Sequence, residues 1–258
     1  MNEAPLRGVG VLVTRPERQA SGLVAAVEAQ GGDAIRFPVI EAQPIAQSDV
    51  VATAETLQVP DIAILVSVNA VRYGLRYVGD ARVAAVGPAT AGAVQASGRE
   101  VDIRSPGGFN SEQLLTTPEL QDVSGKVVRI IRGNGGRELL ANTLRDRGAV
   151  VEYLEVYRRV LPHYDEAEIA AVCHQWRAGI IDVVTVLSVE TLRNLVQLLS
   201  AECLELLGKT RLVTPARRVI KAANNRFPGI PTLLANGPQA DDLVEAIVAS
   251  MQPGNPDD

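Results

Sequence analysis

The residues of this chain that could bind or activate a ligand are short polar side chains placed where apolar segments end. They are hydroxyl groups, small residues and arginines, at Thr14-Arg15, Ser67-Val68-Asn69, Gly87-Pro88-Ala89-Thr90, Ser105–Ser111, Arg132-Gly133 and Ser188. Free backbone N–H groups at helix N-termini favour anionic ligands. Helix capping alone accounts for any single serine of the set. Because the pattern recurs, the set as a whole predicts a site for an anionic ligand.

The material for acid–base catalysis is scarce. His163 follows Pro162 at a predicted linker and His174 lies inside a predicted helix, and we expect neither to be catalytic. Tyr157 differs from the other tyrosines because it lies where the chain would pass between two modules. Its phenol is protonated at neutral pH and could donate a hydrogen bond to a leaving group. Packing in the core or in a linker is the alternative for Tyr157.

The glycine-rich segment Gly133–Arg137 suggests a nucleotide site, but it does not match the known motifs. Glu138 stands where the dinucleotide fingerprint requires its third glycine, and the sequence contains no GxxxxGK[ST] motif. Gly133 and the following glycines would still let backbone N–H groups approach a ligand closely.

Composition and charge exclude several classes of protein. The net charge is −5, and all but three of the 25 basic residues are arginine. A nucleic-acid-binding protein would show a basic stripe, so we expect no nucleic-acid partner. Aromatic residues make up 3% of the chain, which disfavours flavin stacking. The arginines instead have a local use as clamps for carboxylates.

The terminus, the cysteines and the apolar runs predict a cytoplasmic protein. The first residues include Glu3 and only a short apolar run, which does not fit a signal peptide. The longest uncharged apolar stretch, Ile62–Val71, is too short to span a bilayer. Cys173 and Cys203 form no CxxC pair, and we expect two reduced thiols.

Apolar strand segments alternate with helical patterns along the whole chain. The predicted strands are 9–14, 34–40, 62–67, 82–86, 100–103, 126–131, 150–157, 181–187, 211–214 and 231–235. The predicted helices are 17–30, 69–78, 89–97, 111–120, 136–147, 165–177, 190–207, 216–225 and 240–251. Uninterrupted apolar strands between amphipathic helices indicate parallel sheets covered on both faces, so the fold class is α/β.

Motifs of the first half return 117–129 residues later in the second half. Ser67-Val68 returns as Ser188-Val189, and Arg15 has its counterpart in Arg132, so these two arginines are the first candidates for carboxylate clamps. The repeat predicts two α/β modules. They could lie in tandem, or they could be interleaved. In the interleaved arrangement 1–38 and 161–258 form one domain, 41–157 is inserted, and the chain crosses at about 37–45 and 154–161.

The ordered motifs resemble those of the uroporphyrinogen-III synthase family over roughly residues 9–160. The resembling segments are Val11-Leu12-Val13-Thr14-Arg15-Pro16, Phe37-Pro38-Val39-Ile40, Ser67-Val68-Asn69-Ala70-Val71, Val86-Gly87-Pro88-Ala89-Thr90, Ser111-Glu112-Gln113-Leu114-Leu115, Arg132-Gly133-Asn134-Gly135-Gly136-Arg137 and Glu155-Val156-Tyr157-Arg158-Arg159. Each motif alone is degenerate, and their order carries the resemblance.

The resemblance implies the interleaved arrangement, with two flavodoxin-like parallel-sheet domains joined by a two-stranded linker. It also implies a lyase that removes water from hydroxymethylbilane and closes it to uroporphyrinogen III, without cofactor or metal. Tyr157 would assist departure of the hydroxyl group, and Thr90 with its neighbouring amides would hold substrate carboxylates. Ser67, Asn69 and Ser111 match other positions lining the family's cleft.

The sequence departs from the family pattern at three places, two of them in the C-terminal half, so the residues of that half of the cleft are the least secure expectation. A Thr-Ser pair is usual where this chain has Val66-Ser67 and Leu187-Ser188, and a glycine or serine often stands where Thr214-Pro215 follows Val213.

We expect a monomer in transient contact with the preceding pathway enzyme, and no membrane partner. Two alternatives are a non-catalytic two-domain protein that binds a small anion and a flavodoxin-like regulatory or cofactor domain.

Overall fold

The computed structural model describes residues 4–105, 110–136 and 138–251. The chain divides into two compact units, here called the first unit (Met1–Glu41 with Val160–Asp258) and the second unit (Ala42–Arg159). Each unit contains one sheet, and the α/β class predicted from the sequence is confirmed. The chain passes between the units at Glu41–Ala42 and at Arg159–Val160. That these two passages form a flexible two-stranded hinge stays a prediction.

The elements follow one another in mostly alternating order. The strands are β1 Gly10–Val13, β2 Asp33–Arg36, β3 Glu41–Pro44, β4 Ile62–Leu65, β5 Arg82–Ala85, β6 Ile103–Arg104, β7 Val127–Gly133, β8 Val150–Val160, β9 Val183–Thr185, β10 Arg211–Thr214 and β11 Thr232–Leu234. The helices are α1 Glu17–Ala29, α2 Gln47–Thr56, α3 Val68–Gly74, α4 Pro88–Ala96, α5 Ser111–Leu114, α6 Pro118–Gln121, α7 Leu139–Asp146, α8 Glu166–Arg177, α9 Val189–Leu198, α10 Ala201–Leu207, α11 Arg217–Arg226 and α12 Ala240–Met251. A short 3₁₀ helix, Leu75–Tyr77, follows α3.

The sheet of the first unit has the strand order β11-β10-β9-β1-β2 and is parallel throughout. Strand β1, which lies between β9 and the edge strand β2, is fully buried, because helices cover both faces of the sheet. The order of connection reverses between β1 and β9. Such a switch point opens a crevice at the carboxyl ends of the strands, where ligands bind in open α/β sheets.

The sheet of the second unit has the order β3-β8-β7-β4-β5-β6, and β8, β7, β4, β5 and β6 run parallel to one another. Buried apolar residues line both of its faces in two separate clusters. The switch point of this sheet lies between β4 and β7. Sequence patterning predicted every strand of this sheet except the edge strand β3, and the clearest signal came from β4, whose buried residues form a continuous apolar run.

The pairing of β7 with β8 contains a β-bulge that sequence alternation does not predict. Arg132 pairs with Glu155, but the next residue, Gly133, pairs with Tyr157, so Val156 is an extra residue on β8. A one-residue insertion turns the following side chain to the other face of the sheet. Tyr157 accordingly packs with the cluster of Val156, whereas Tyr153 packs against the opposite cluster.

Four elements differ from those predicted. Helix α2 and edge strand β3 were not predicted, because α2 buries only Val50 and β3 is mostly exposed. The predicted helix 190–207 is two helices, since Leu199 is extended and Ser200 caps α10. The predicted helix 111–120 is likewise divided into α5 and α6.

The two cysteines correct an expectation. Reduced thiols were expected, but Cys173 on α8 and Cys203 on α10 form a disulfide, with their Cα atoms 5.5 Å apart. The sequences of the two helices do not indicate the disulfide, because the contact between the cysteines depends on how α8 packs against α10. Within residues 4–105, 110–136 and 138–251, no helix combines the length and apolar character that crossing a membrane requires.

Candidate functional site

Four of the predicted site residues lie at the switch points of the two sheets. In the first unit Arg15 follows β1 and Ser188 follows β9. In the second unit Ser67 follows β4 and Gly133 ends β7. Each pair flanks the point where strand order reverses, which is the ligand position in sheets of this kind.

Tyr157 is held by Gly133 in the second unit. The bulge sets the two residues opposite each other, and the tyrosine ring lies against the glycine backbone. A Cβ atom built on Gly133 would lie 2.5 Å from Cε2 and 2.6 Å from Cζ of Tyr157. The tyrosine is 2% exposed. Only a residue without a side chain leaves room for the ring at this place.

The hydroxyl group of Tyr157 is held by Ser67. Tyr157 Oη and Ser67 Oγ are 3.1 Å apart, and Ser67 Oγ also accepts the Ala70 N–H at 3.1 Å. The second bond caps α3. Ser67 therefore serves as a helix cap and as the hydrogen-bond partner of the tyrosine, so the capping and site interpretations of this serine hold together.

A cavity of about 170 Å³ opens in the second unit in front of this tyrosine. It brings four predicted site residues together, with Ser67 one hydrogen bond behind; the four are Ser111, Arg132, Gly133 and Tyr157. The cavity has room for part of a ligand, such as a carboxylate arm or the edge of a ring. Its walls come from β7 and β8, from the residue that follows β4, and from helices α5 and α7.

Arg132 is engaged by groups that the sequence reasoning missed. Its guanidinium lies 3.1 Å from Glu138 Oε1 and 3.7 Å from Glu155 Oε1, and its Cζ lies 3.6 Å from the ring centre of Tyr153. The arginine side chain is 13% exposed. Tyr153 and Glu155 alternate on β8, and that spacing was the available signal. The result is a cluster of one guanidinium and two carboxylates beside the cavity.

The cluster shifts two pKa values. Hydrogen bonds from Tyr153 and Arg132 hold the pKa of the Glu138 carboxyl below its usual value. Burial, together with the hydrogen bond to Glu138, raises the pKa of the Tyr153 phenol. Glu138 is therefore ionised and Tyr153 neutral at physiological pH, which keeps the arginine paired.

Two other predicted residues of the second unit lie apart from this cavity. Thr90 is buried in the first turn of α4, and Asn69 is half-buried at the start of α3. Neither lines the cavity in front of Tyr157. Arg137 and residues 106–109, which belong to predicted site segments, lie outside the described residues.

In the first unit, the two candidate residues Arg15 and Ser188 each form a hydrogen bond within the protein. Arg15 donates a hydrogen bond from Nη2 to the carbonyl of Pro238, and burial lowers the pKa of its guanidinium. Ser188 caps α9 by accepting the Thr191 N–H at 3.0 Å. Over 4–105, 110–136 and 138–251 no group of three or more histidine, cysteine or acidic residues is arranged to bind a metal ion.

Comparison with known proteins identifies a consistent set of relatives. The family model described as uroporphyrinogen-III synthase HemD matches residues 21–245. Uroporphyrinogen-III synthase of Escherichia coli K12 is 33% identical over 238 residues, covering 84% of this chain and 96% of that protein. The Salmonella typhimurium enzyme is 38% identical over 200 residues, covering 72% and 78% respectively.

Solved structures show the same fold. Uroporphyrinogen-III synthetase of Helicobacter pylori superposes with a TM-score of 0.62 at 13% identity, covering 94% of this chain and 99% of that one. A mutant uroporphyrinogen III synthase of Thermus thermophilus gives a TM-score of 0.58 at 19% identity, covering 95% and 100%. At these identities the likeness concerns the fold.

Proposed function

This chain belongs to the uroporphyrinogen-III synthase family, and we propose that Tyr157 is the residue that assists its reaction, the cyclising dehydration of hydroxymethylbilane to uroporphyrinogen III in haem biosynthesis. One observation carries the proposal. A buried tyrosine, held by Gly133 and Ser67, lines a cavity at the switch point of the second sheet.

The chemistry makes a single weak acid sufficient. A pyrrole nitrogen of the substrate can itself expel the terminal hydroxyl group, which gives an azafulvene. Tyr157 would donate its proton to the departing oxygen, so that the C–O bond breaks and water leaves. The substituted carbon of the last ring then attacks, and a spiro intermediate forms. The bond from that carbon to the neighbouring bridge methylene then breaks, the methylene bonds the unsubstituted carbon of the same ring, and the proton lost from the unsubstituted carbon restores the phenol.

Selection of the isomer requires positioning rather than further acid–base groups. The competing reaction is direct closure at the unsubstituted carbon, which gives isomer I. A protein that restricts the chain to one reacting geometry can favour one closure over the other. The contacts of Tyr157 with the backbone of Gly133 and with the helix cap Ser67 support this role, because a tyrosine fixed in this way defines where the departing oxygen must lie.

We propose that the remaining site residues hold carboxylates of the substrate. Arg15 and Ser188 would act in the first unit, and Asn69, Thr90 and Ser111 in the second. Arg132 would join them by exchanging Glu138, which is 49% exposed, for a substrate carboxylate. Such an exchange keeps the charge balance of the cluster. Charge-assisted hydrogen bonds of this kind contribute about 1.5–3 kcal/mol each when desolvated.

We further propose that the enzyme works without cofactor or metal, as a cytoplasmic monomer that meets the preceding pathway enzyme only transiently. The support is chemical, since the pyrrole supplies the electron pair that a cofactor would otherwise provide. The linear substrate also closes spontaneously, so a short path from its source is an advantage. Sedimentation at working concentration tests the monomer, and activity after dialysis against a chelator tests the independence from metals.

The deciding experiment supplies hydroxymethylbilane to the purified chain, oxidises the product and separates the porphyrin isomers. Isomer III is expected, and isomer I alone would refute the assigned activity. In the same assay Tyr157→Phe should lower kcat roughly 10²- to 10⁴-fold, the effect of losing one positioned proton donor. Unchanged turnover would remove Tyr157 from the mechanism while leaving the activity itself established.

A further inference from the structure

We propose that Ser67 is a positioning residue that turns the Tyr157 phenol proton toward the cavity. The inference rests on the proposed role of Tyr157 and adds a second residue to it. Its basis is the pair of hydrogen bonds that meet at Ser67 Oγ, one from the Ala70 N–H and one shared with Tyr157 Oη, each 3.1 Å long.

The tyrosine ring has little freedom of its own. Gly133 lies against one part of the ring, and the ring of Tyr73 lies 6.2 Å away, centre to centre. Val156 belongs to the same buried cluster. With the ring fixed, the remaining freedom of Tyr157 is rotation of its O–H bond, which prefers the plane of the ring and so has two directions. One direction faces Ser67 and the other faces away from it.

The occupancy of these two directions decides whether the proton is available to a ligand. If Tyr157 donates to Ser67, the proton is engaged inside the protein. If Ser67 donates to Tyr157, the phenol proton must take the other direction. A serine hydroxyl has one donor and two acceptor sites. Ser67 already accepts the Ala70 N–H, and accepting a hydrogen bond polarises a hydroxyl so that it becomes a stronger donor.

In this proposal Ser67 is the donor and Tyr157 the acceptor in their shared bond, whose 3.1 Å length allows either hydroxyl to donate. The phenol is then left with its own proton directed away from Ser67, in a tyrosine that lines the cavity. A tyrosine without this partner would divide its time between two directions. Ser67 acts through Tyr157, and contact with the substrate is not required for this role.

The test is a double-mutant cycle on Ser67 and Tyr157, with formation of uroporphyrinogen III as the readout. Ser67→Ala should lower kcat roughly 5- to 10-fold and leave KM within about twofold, because orientation of a proton affects the reacting complex. In the Tyr157→Phe background the same Ser67→Ala change should lower kcat less than about twofold, since no phenol proton remains to be oriented.

Loss of the helix cap must be separated from loss of orientation. Ser67→Ala also removes the cap of α3, which should lower Tm by about 2–4 °C in both backgrounds. Ser200→Ala is the matched control, because Ser200 Oγ accepts the Cys203 N–H at 3.3 Å at the start of α10. It should lower Tm similarly with unchanged kcat. Ser67→Thr keeps the hydroxyl group and should recover at least half of the wild-type kcat.

The outcomes distinguish a positioning role of Ser67 from a purely structural role. Loss of kcat on Ser67→Ala only where Tyr157 is present supports the inference. Equal losses in both backgrounds, or no loss, overturn it and leave Ser67 as a helix cap. If Tyr157→Phe itself has full activity, both the role of Tyr157 and the inference fall. Whether isomer III is formed at all reports on the family activity separately.

Discussion

Replacing Gly133 by alanine should inactivate the enzyme by displacing Tyr157. Gly133 does not have a positive φ, so an alanine can adopt its backbone conformation. The effect of the substitution is therefore confined to the added methyl group. That group would lie 2.5 Å from Tyr157 Cε2, where ordinary contact begins at 3.4 Å.

The ring must consequently move by about 0.9 Å, and this distance sets the size of the effect. Displacement of a catalytic group by about 1 Å can lower a rate by 10²-fold. A shift of that size would also stretch the 3.1 Å contact with Ser67 beyond normal hydrogen-bond length. We expect kcat for uroporphyrinogen III to fall roughly 10- to 100-fold, and crowding to lower the free energy of unfolding by about 1–3 kcal/mol.

The assay measures initial rates with hydroxymethylbilane and the ratio of isomers III and I, alongside urea unfolding. Gly22→Ala is the matched control, because a Cβ at Gly22 on α1 meets no atom within 4 Å. It should leave kcat unchanged and raise the free energy of unfolding by up to about 1 kcal/mol. In a Tyr157→Ala background, Gly133→Ala should no longer destabilise the protein.

Two results would refute this reasoning. Full activity with unchanged unfolding in Gly133→Ala would show that the ring has room to move. A destabilisation that persists in the Tyr157→Ala background would show that the methyl group clashes with something other than the ring. In either case Gly133 would no longer be the seat of the tyrosine.

Two further predictions concern stability in the first unit. The disulfide of Cys173 with Cys203 closes a loop of 30 residues and should contribute about 3–4 kcal/mol to the free energy of unfolding, so its reduction should lower Tm. Thiol titration of the denatured, unreduced protein should find no free thiol. Two free thiols would contradict the pairing. Burial raises the pKa of Tyr164 from 10.0 to about 12, and this folded pKa lies above the unfolded one, so the stability it provides is present below pH 10 and is lost as pH rises toward 12. Relative to Tyr164→Phe, the wild type should become less stable over that range in urea unfolding, whereas parallel curves would show that Tyr164 titrates normally.

Most strands of the two sheets were predictable from the sequence, because a buried strand consists of consecutive apolar residues. A strand such as β4, buried along its whole length, is a run of apolar residues in any context. The elements that were missed bury little. Helix α2 contributes only Val50 to the core, and β3 is a mostly polar edge strand that ends in Pro44. Such elements are held by contacts with the rest of the unit, and their own residue pattern gives little sign of them.

The candidate site was predictable by residue type and only partly by geometry. The sequence identified Tyr157, Ser67 and Gly133 separately, as a possible proton donor, a cap and a point of close approach. Their mutual contact depends on the register between β7 and β8, which is a relation between two strands. The cluster around Arg132 was missed for the same reason, because Glu138 and Glu155 approach it from different elements.

The extra residue in β8 is what turns these separate features into one site. With regular alternation Tyr157 would share the face of Tyr153 and Glu155, beside the charged cluster, and Ser67 would have no phenol to contact. Insertion of Val156 places the tyrosine opposite Gly133 and on the face of α3. The bulge therefore packs Tyr157 with the cluster of Val156 while Tyr153 packs against the opposite cluster, and the cavity is still lined by both tyrosines and by Arg132. Gly133 and Ser67 thereby fix the position of the phenol, and a fixed position is what the proposed role of Tyr157 in the dehydration of hydroxymethylbilane requires.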